Sequence, residues 1–528
     1  MKKKYSLILI FCLACEMLFF SAFAASTGLS IYNIRDFGAA GNGKAIDTKA
    51  INDAIAKAYE NGGGTVYFPP GTYLSASIHL KSNITLYLEA GSVIEAANDS
   101  LVQYDFPEPN EKGDHYQDFG HSHWQNSLIW GIGLENISIM GPGLIYGKGL
   151  NPGYHLRGKP GSGLVYKDGG PGAGNKAIAL RECHNVIFRD FSILHGGHFG
   201  ILATGVSNLT IDNIKIDTNR DGMDIDGCEN VRISNCSVNS PWDDAICLKA
   251  SYGLGKITHC RDITITNCFV AGNFDEGSLL DGTFTRSGKN YGAQKIGRIK
   301  FGTESNGDFS NITISNCVFD ECFGLAIESV DGSHIEDVSV SNITMRNIAT
   351  CPIFIRLGNR ARGPHDPPVG TIRRITINNI VVSNANGTLG SIISGIPGHP
   401  VEDLTISNIR INMEGGGTKA DAEVIPPEKE TNYPDPGMFG TIPAYGFFIR
   451  HVNGIEISHA KLDFNAPEYR PVFVLEDVKD ASFDHINAEQ GTDNSPYFDL
   501  RNTSDINIKD SENITDIKLI QEVNRKKF

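Results

Sequence analysis

Positive charge is scarce in this chain: 46 Lys and Arg stand against 61 Asp and Glu, for a formal net charge of −15 over 528 residues. That balance disfavours nucleic acid and anionic membranes as partners, while an acidic polysaccharide stays admissible wherever a local basic patch exists. Past residue 24 the sequence also lacks any Cys-x-x-Cys pair or His–Cys grouping with metal spacing. The consensus leucines of leucine-rich repeats are missing, and so is the roughly forty-residue period of propeller blades. Past the N-terminus no stretch is apolar enough to span a bilayer.

The N-terminus is the exception. Lys2, Lys3 and Lys4 precede an apolar run over 5–23, and Ala22-Phe23-Ala24 offers a small-x-small cleavage site. We expect 1–24 to be a signal peptide and the mature chain to be exported, periplasmic or extracellular, with no membrane attachment after cleavage. Nine cysteines then remain. Cys236, Cys268 and Cys317 each follow Ser/Thr-Asn, which predicts small core residues stacked from repeat to repeat rather than a disulfide framework.

Residues 25–528 read as one domain. Its opening, 25–90, pairs a short strand with a helix from about residue 49 to 59. Ile51, Ala54, Ile55 and Ala58 fall at helical spacing behind Asp47-Thr48. Such a helix suits a cap on the open end of a stack. From 91 onwards one unit recurs: polar residues, an alternating apolar strand, Asn or a substitute, and another short strand. Copies include HNVIFRD, SNLTIDN, ENVRISNC, RDITITNC and SNITISNC. The closing Asn falls at 213, 235, 267, 316, 342, 379 and 408, with separations of 22, 32, 49, 26, 37 and 29. A floor near two dozen residues with variable excess predicts an all-β, right-handed parallel β-helix. The repeated Asn is read as a ladder of stacked amides satisfying turn backbone inside the coil. Long excursions at 267–316 and 408–459, and shorter ones at 105–124 and 151–174, are expected to shape a groove. The tail after Asp480 is expected to close the far end, and the chain to be monomeric.

The chemistry concentrates in 219–249, which holds Asp221, Asp224, Asp226, Asp243 and Asp244. On stacked strands Asp221 and the Asp243-Asp244 pair fall on neighbouring rungs. Hydrolysis of a glycosidic bond needs one protonated carboxyl and one carboxylate, and crowded aspartates supply both because repulsion raises the pKa of one member. Lining up Gly200-ILAT-Gly205, Gly222-MDID-Gly227, Gly277-SLLD-Gly282, IGRIKFG, Gly324-LAIES and Pro352-IFIRLG puts Asp224, Asp226, Asp281, Arg298, Lys300, Glu328 and Arg356 outward on one face. Arg298 and Lys300 are placed to hold the carboxylates of an anionic sugar.

These residues resemble glycoside hydrolase family 28, the polygalacturonases, exo-polygalacturonosidases and rhamnogalacturonan hydrolases of the pectin lyase-like superfamily. DFGAAGNG and GGGTVYFPPGTY resemble the superfamily's N-terminal module. Asn219-Arg220-Asp221-Gly222 matches the family's NTDG motif with Arg220 in place of Thr, and Asp243-Asp244 matches its paired aspartates. The resemblance implies Asp243 as general acid, and Asp221 with Asp244 holding the water that attacks with inversion. It implies substrate contacts from Asn219, Arg298, Lys300, Arg356, Asp224 and Glu328, an acidic pectic substrate, and no metal or cofactor. Two departures stand out. The Gly-His-Gly motif has no match, the region reading Phe274 to Asp281. Arg298-Ile299-Lys300 is followed by GTESNG, as the histidine motif normally is, which leaves two alignments open: these residues are the family's Arg-Ile-Lys motif, or they lie one coil early and Ala326 and Glu328 take its place. With long loops at both ends of the groove, the expectation is an exo-acting or specialised glycosidase. A β-helix lyase or epimerase using Asp243, Asp244 and Lys249, or a non-catalytic glycan-binding solenoid, are the alternatives.

Overall fold

In the computed structural model, residues 30–117, 119–152, 172–286 and 295–528 are described. The expected signal segment and most of the 151–174 loop lie outside them. Successive coils stack as parallel strands in a right-handed β-helix, as the repeat predicts. One coil runs Asp221–Asp226, Glu229–Ser234 and Ser237–Asn239; the next runs Ile246–Ala250, Cys260–Thr266 and Phe269–Ala271. Their register is direct, Met223 opposite Ile246 and Val231 opposite Ile263. Alternation explains the packing: Met223, Ile225, Val231 and Ile233 enter one continuous core, and the residues between them face outward. From His334 onward the second and third strands of each coil merge, as in His334–Arg346 and Thr371–Ala385.

Asn213, Asn235, Asn267, Asn316, Asn342, Asn379 and Asn408 lie on the outside of the turns rather than inside the coil. Each adopts φ between +53° and +57°, a left-handed conformation that Asn tolerates. From Asn213 to Asn379 their amides bond side chains of the preceding coil instead of turn backbone: Asn342 Nδ2 donates to Asn316 at 3.0 Å and Asn379 to Asn342 at 2.8 Å. Cys236, Cys268 and Cys317 are buried free thiols, as expected.

The helix Thr48–Glu60 buries Ala50, Ile51, Ala54, Ile55 and Ala58 over the first strands. Asp47 makes no side-chain cap; its carboxylate accepts from Ala40 and Gly41 N–H at 2.7 and 3.1 Å, fastening the preceding Gly-rich turn. The far end closes later than expected. Phe473–Ala488 and Phe498–Lys509 are still parallel rungs, and only Ile517–Leu519 and Val523–Lys527 turn back antiparallel to cover the edge. Among the described residues no helix is long and apolar enough to cross a membrane.

Candidate active site

Gly222 sets the position of Asp221. A Cβ there would meet Ala245 O and Val238 Cγ1 at 2.5 Å, so only glycine lets the strand Asp221–Asp226 lie this close to the next coil. Its N–H bonds the Asp244 carbonyl at 3.0 Å, which pins the two acidic segments side by side. One carboxylate oxygen from each of Asp221, Asp243 and Asp244 then falls within 4.8 Å of the others. Three carboxylates this close fit a cation as well as a shared proton, but Arg298 and Lys300 already supply positive charge beside Asp244. Asp221 and Asp244 are buried, while Asp243 keeps 26% of its side chain open to the cleft.

Their environments pull them apart. Burial, with Asp224 and Asp243 nearby, pushes the Asp221 carboxyl well above the usual range. Burial also works against a charged Asp244, but Lys300 and Arg298 outweigh it and hold that carboxyl below the usual range. Arg298 Nε donates to Asp244 Oδ1 at 2.9 Å, and Lys300 Nζ lies 3.2 Å from Oδ2. Asp243 is gripped by Arg220, whose Nη2 also donates to His198 Nε2 at 3.0 Å. His198 stacks on Phe199 with ring centroids 4.1 Å apart. Burial and the Arg220 charge push its imidazole well below the usual value, which leaves it neutral to accept that bond.

Arg298 and Lys300 sit on the coil directly after the acids: the strand Ile299–Ser305 pairs with Ile246–Ala250, Lys300 opposite Cys247. Gly277–Gly282 is not the strand that alignment by glycines suggested. Ser278–Asp281 is a helical turn outside the stack with Asp281 exposed, so the excursion carries that segment away and brings Arg298 to the rung instead.

The outward row through the site runs Leu202, Asp224, Cys247, Lys300, Ala326, Phe354, Ile392 and Phe448. Both ends of this row are roofed. On the N-terminal side Trp124 is fully buried against Ala179, Phe199 and Leu202, its Nε1 donating to Thr204 Oγ1 at 3.0 Å. On the C-terminal side Phe439, Ile442 and Ala444 of the 408–459 excursion cover Ala326, Phe354, Ile392 and Phe448. Between the roofs only the rungs of Cys247 and Lys300 remain, about 5 Å apart at the spacing of strands.

Three of the expected substrate contacts are committed elsewhere. Asp224 is fully buried beneath the N-terminal roof, 3.0 Å from Lys249 Nζ and 3.2 Å from His121 Nε2. Arg356 anchors the other excursion, donating to Ser394 Oγ and to the Gly395 and Glu428 carbonyls at 2.8 Å each. Glu328 is buried 3.6 Å from both Arg298 and Lys300, facing cations rather than the cleft. Asn219 is half-buried at the edge, its Nδ2 3.4 Å from His195 Nδ1. Reading the sequence missed His121, His198 and Tyr433. The first two approach from other coils and loops; Tyr433, 55% exposed, hangs over Lys300 with its hydroxyl 3.3 Å from Nζ. Arg220 carried a legible signal, since an arginine beside a buried aspartate must find a carboxylate.

The stack and its carboxylate-lined site define a right-handed parallel β-helix protein. The family profile described as rhamnogalacturonase A/epimerase, pectate lyase-like, matches 31–247, and the right-handed β-helix region profile matches 170–362. A probable polygalacturonase from Vitis vinifera is 24% identical over 430 residues, 78% of this chain and 80% of that one. Alginate lyase 7 from Azotobacter vinelandii is 60% identical over 42 residues, 8% of this chain and 5% of that one. Among solved structures, the family 28 exopolygalacturonase of Yersinia enterocolitica aligns with TM-score 0.60 at 19% identity, covering 88% of this chain and 79% of that one. The exopolygalacturonase of Thermotoga maritima aligns with TM-score 0.56 at 19% identity, covering 72% and 87%. Together the two profile matches extend from residue 31 to 362 and make the chain similar to pectate lyase-like β-helix proteins.

Proposed function

We propose that this protein is a family 28 glycoside hydrolase that removes sugar units from the ends of pectic chains. The observation that carries this reading is the trio Asp221, Asp243 and Asp244, three carboxylates within 4.8 Å in opposed electrostatic settings. Asp244, held ionised, activates water. The proton resides on the Asp221–Asp243 side, and Asp243, the carboxyl open to the cleft, delivers it to the leaving oxygen. Inversion is part of the proposal, although these oxygens are closer than the ~6.5–9.5 Å that ordinarily leaves room for water between an acid and a base. In this proposal Asp244 holds the water beside the pair rather than between its members. Roofs over both ends of the outward row favour a chain end over a chain passing through. Export is proposed on the Lys-rich, apolar N-terminus, and N-terminal sequencing of the secreted protein tests it: a mature chain that keeps residues 1–24 rejects it.

The deciding experiment is product analysis on homogalacturonan and rhamnogalacturonan with EDTA present. Saturated mono- or disaccharides from the first minutes, with the anomer opposite to the substrate's seen first by NMR, are expected. Unsaturated ends would establish a lyase instead, the reading that the match to alginate lyase 7 favours. Long fragments early would reject the end-acting mode.

A further inference from the structure

The wall of the pocket beside Asp244 is built of charge that cancels itself. Arg298 and Lys300 are both buried and face Asp244 at 2.9 and 3.2 Å and Glu328 at 3.6 Å each. Lys300 has three N–H groups to offer and three acceptors already near them: Asp244 Oδ2, Glu328 Oε2, and the Tyr433 hydroxyl at 3.3 Å. Arg298 is held in turn over the Phe323 ring at 5.4 Å. On the opposite lip Arg220 is spent on Asp243 in the same way. Above about pH 7, where Glu328 as well as Asp244 is ionised, two cations against two carboxylates on one wall, and one against one on the lip, leave no net positive field for an incoming sugar. What rises above this wall is the exposed ring of Tyr433, a surface suited to the C–H face of a sugar.

We infer that the sugar seated against Arg298, Lys300 and Tyr433 is uncharged, and that Glu328 is the residue that excludes a uronate there. The inference rests on the proposed glycosidase reading and narrows its substrate to chains whose terminal or penultimate unit is a neutral hexose or deoxyhexose. Glu328 does this by occupying, in charge, the place that a substrate carboxylate would take. An anionic sugar would bring a third carboxylate to a pair of cations that two already satisfy. A neutral sugar loses nothing there.

The test compares kcat/KM at pH 8, where Glu328 is ionised, on two matched trisaccharides, α-1,4-trigalacturonate and the same trisaccharide with its carboxyls reduced to hydroxymethyl groups. For the native protein the neutral trisaccharide should be favoured by about tenfold or more, and its rate should not change as NaCl is raised. In Glu328→Gln the wall keeps both cations and loses one anion. Trigalacturonate should then gain about tenfold, and that gain should fade with salt. Native protein that prefers trigalacturonate at low and high salt overturns the inference and leaves the glycosidase reading standing. So does an unchanged preference in a folded Glu328→Gln. If that variant does not fold, the native preference and its salt dependence decide alone. Failure of both trisaccharides, and of rhamnogalacturonan oligosaccharides, overturns the glycosidase reading itself and this inference with it.

Discussion

Arg220 Nε and Nη2 both point at Asp243 Oδ2, at 3.0 and 2.9 Å, so the carboxyl that faces the cleft is bound to a cation from the neighbouring coil. Arg220 thereby fixes the direction of that carboxyl. Replacing Arg220 with Thr should lower kcat on a pectic oligosaccharide by about tenfold or more with KM little changed, as when a positioned proton donor loses its orientation. A merely structural role would instead lower the unfolding free energy and leave kcat per folded molecule unchanged.

Asp243→Asn should lower turnover of a pectic oligosaccharide by about 10²–10⁴-fold, the usual worth of a general acid. The loss should shrink on an aryl glycoside whose leaving group needs no proton. Asp244→Asn, which removes the carboxylate that activates water, should be equally damaging on both substrates. An Asp244→Asn loss that shrinks on the aryl glycoside while the Asp243→Asn loss does not would reverse the roles assigned here.

The repeat and its alternation were enough to read the fold, because each coil repeats one local rule: apolar in, polar out, Asn at the bend. Asp221 and Asp243-Asp244 were legible for the same reason, being tied to successive rungs by the strands beside them. What the sequence did not disclose depends on the excursions, whose paths follow no period. Gly277–Gly282 has the glycine frame of a strand, yet it leaves the stack, because nothing in that local pattern reports which segment returns to the rung. Arg356 and Glu328 alternate outward just as predicted. Their partners, the Glu428 carbonyl and the Arg298–Lys300 pair, decide that they hold the protein rather than the substrate. The Asn ladder shows the same limit: its position was readable, and its side of the turn was not.

The C-terminal roof makes its own prediction. Phe439 lies between the guanidinium groups of Arg356 and Arg450, 5.3 and 5.5 Å from its ring, and above Phe354. Phe439→Ser should loosen this roof and uncover the Phe354 rung. Early products should lengthen by one or more sugars, read by chromatography in the first few per cent of conversion. Stability should fall by about 3 kcal/mol, as for loss of a buried aromatic, measured by denaturant unfolding. Unchanged product lengths with that loss of stability would show that the roof does not bound the substrate.

Stability should itself depend on pH in a direction set by the buried acids. Burial pushes Glu328 up to about 7 and Asp217 up to about 6, from ordinary values of 4.5 and 3.8. A carboxyl whose folded pKa is raised favours the native state fully below its unfolded pKa, and that contribution is lost as pH rises through the folded value. Asp244 and Glu304, held low by Lys300 with Arg298 and by Lys249 with His121 against the cost of burial, act in the opposite sense and lose theirs on acidification. The native state should thus be most stable in mild acid and should weaken between about pH 5 and pH 8. Glu328 alone accounts for about 3 kcal/mol of that decline, at ~1.4 kcal/mol per unit. Glu328→Gln cannot ionise, so its unfolding free energy should fall by about that much less over the same interval. Equal declines in the two proteins, followed by urea unfolding at each pH, would show that Glu328 titrates near its ordinary value and is already ionised across this interval.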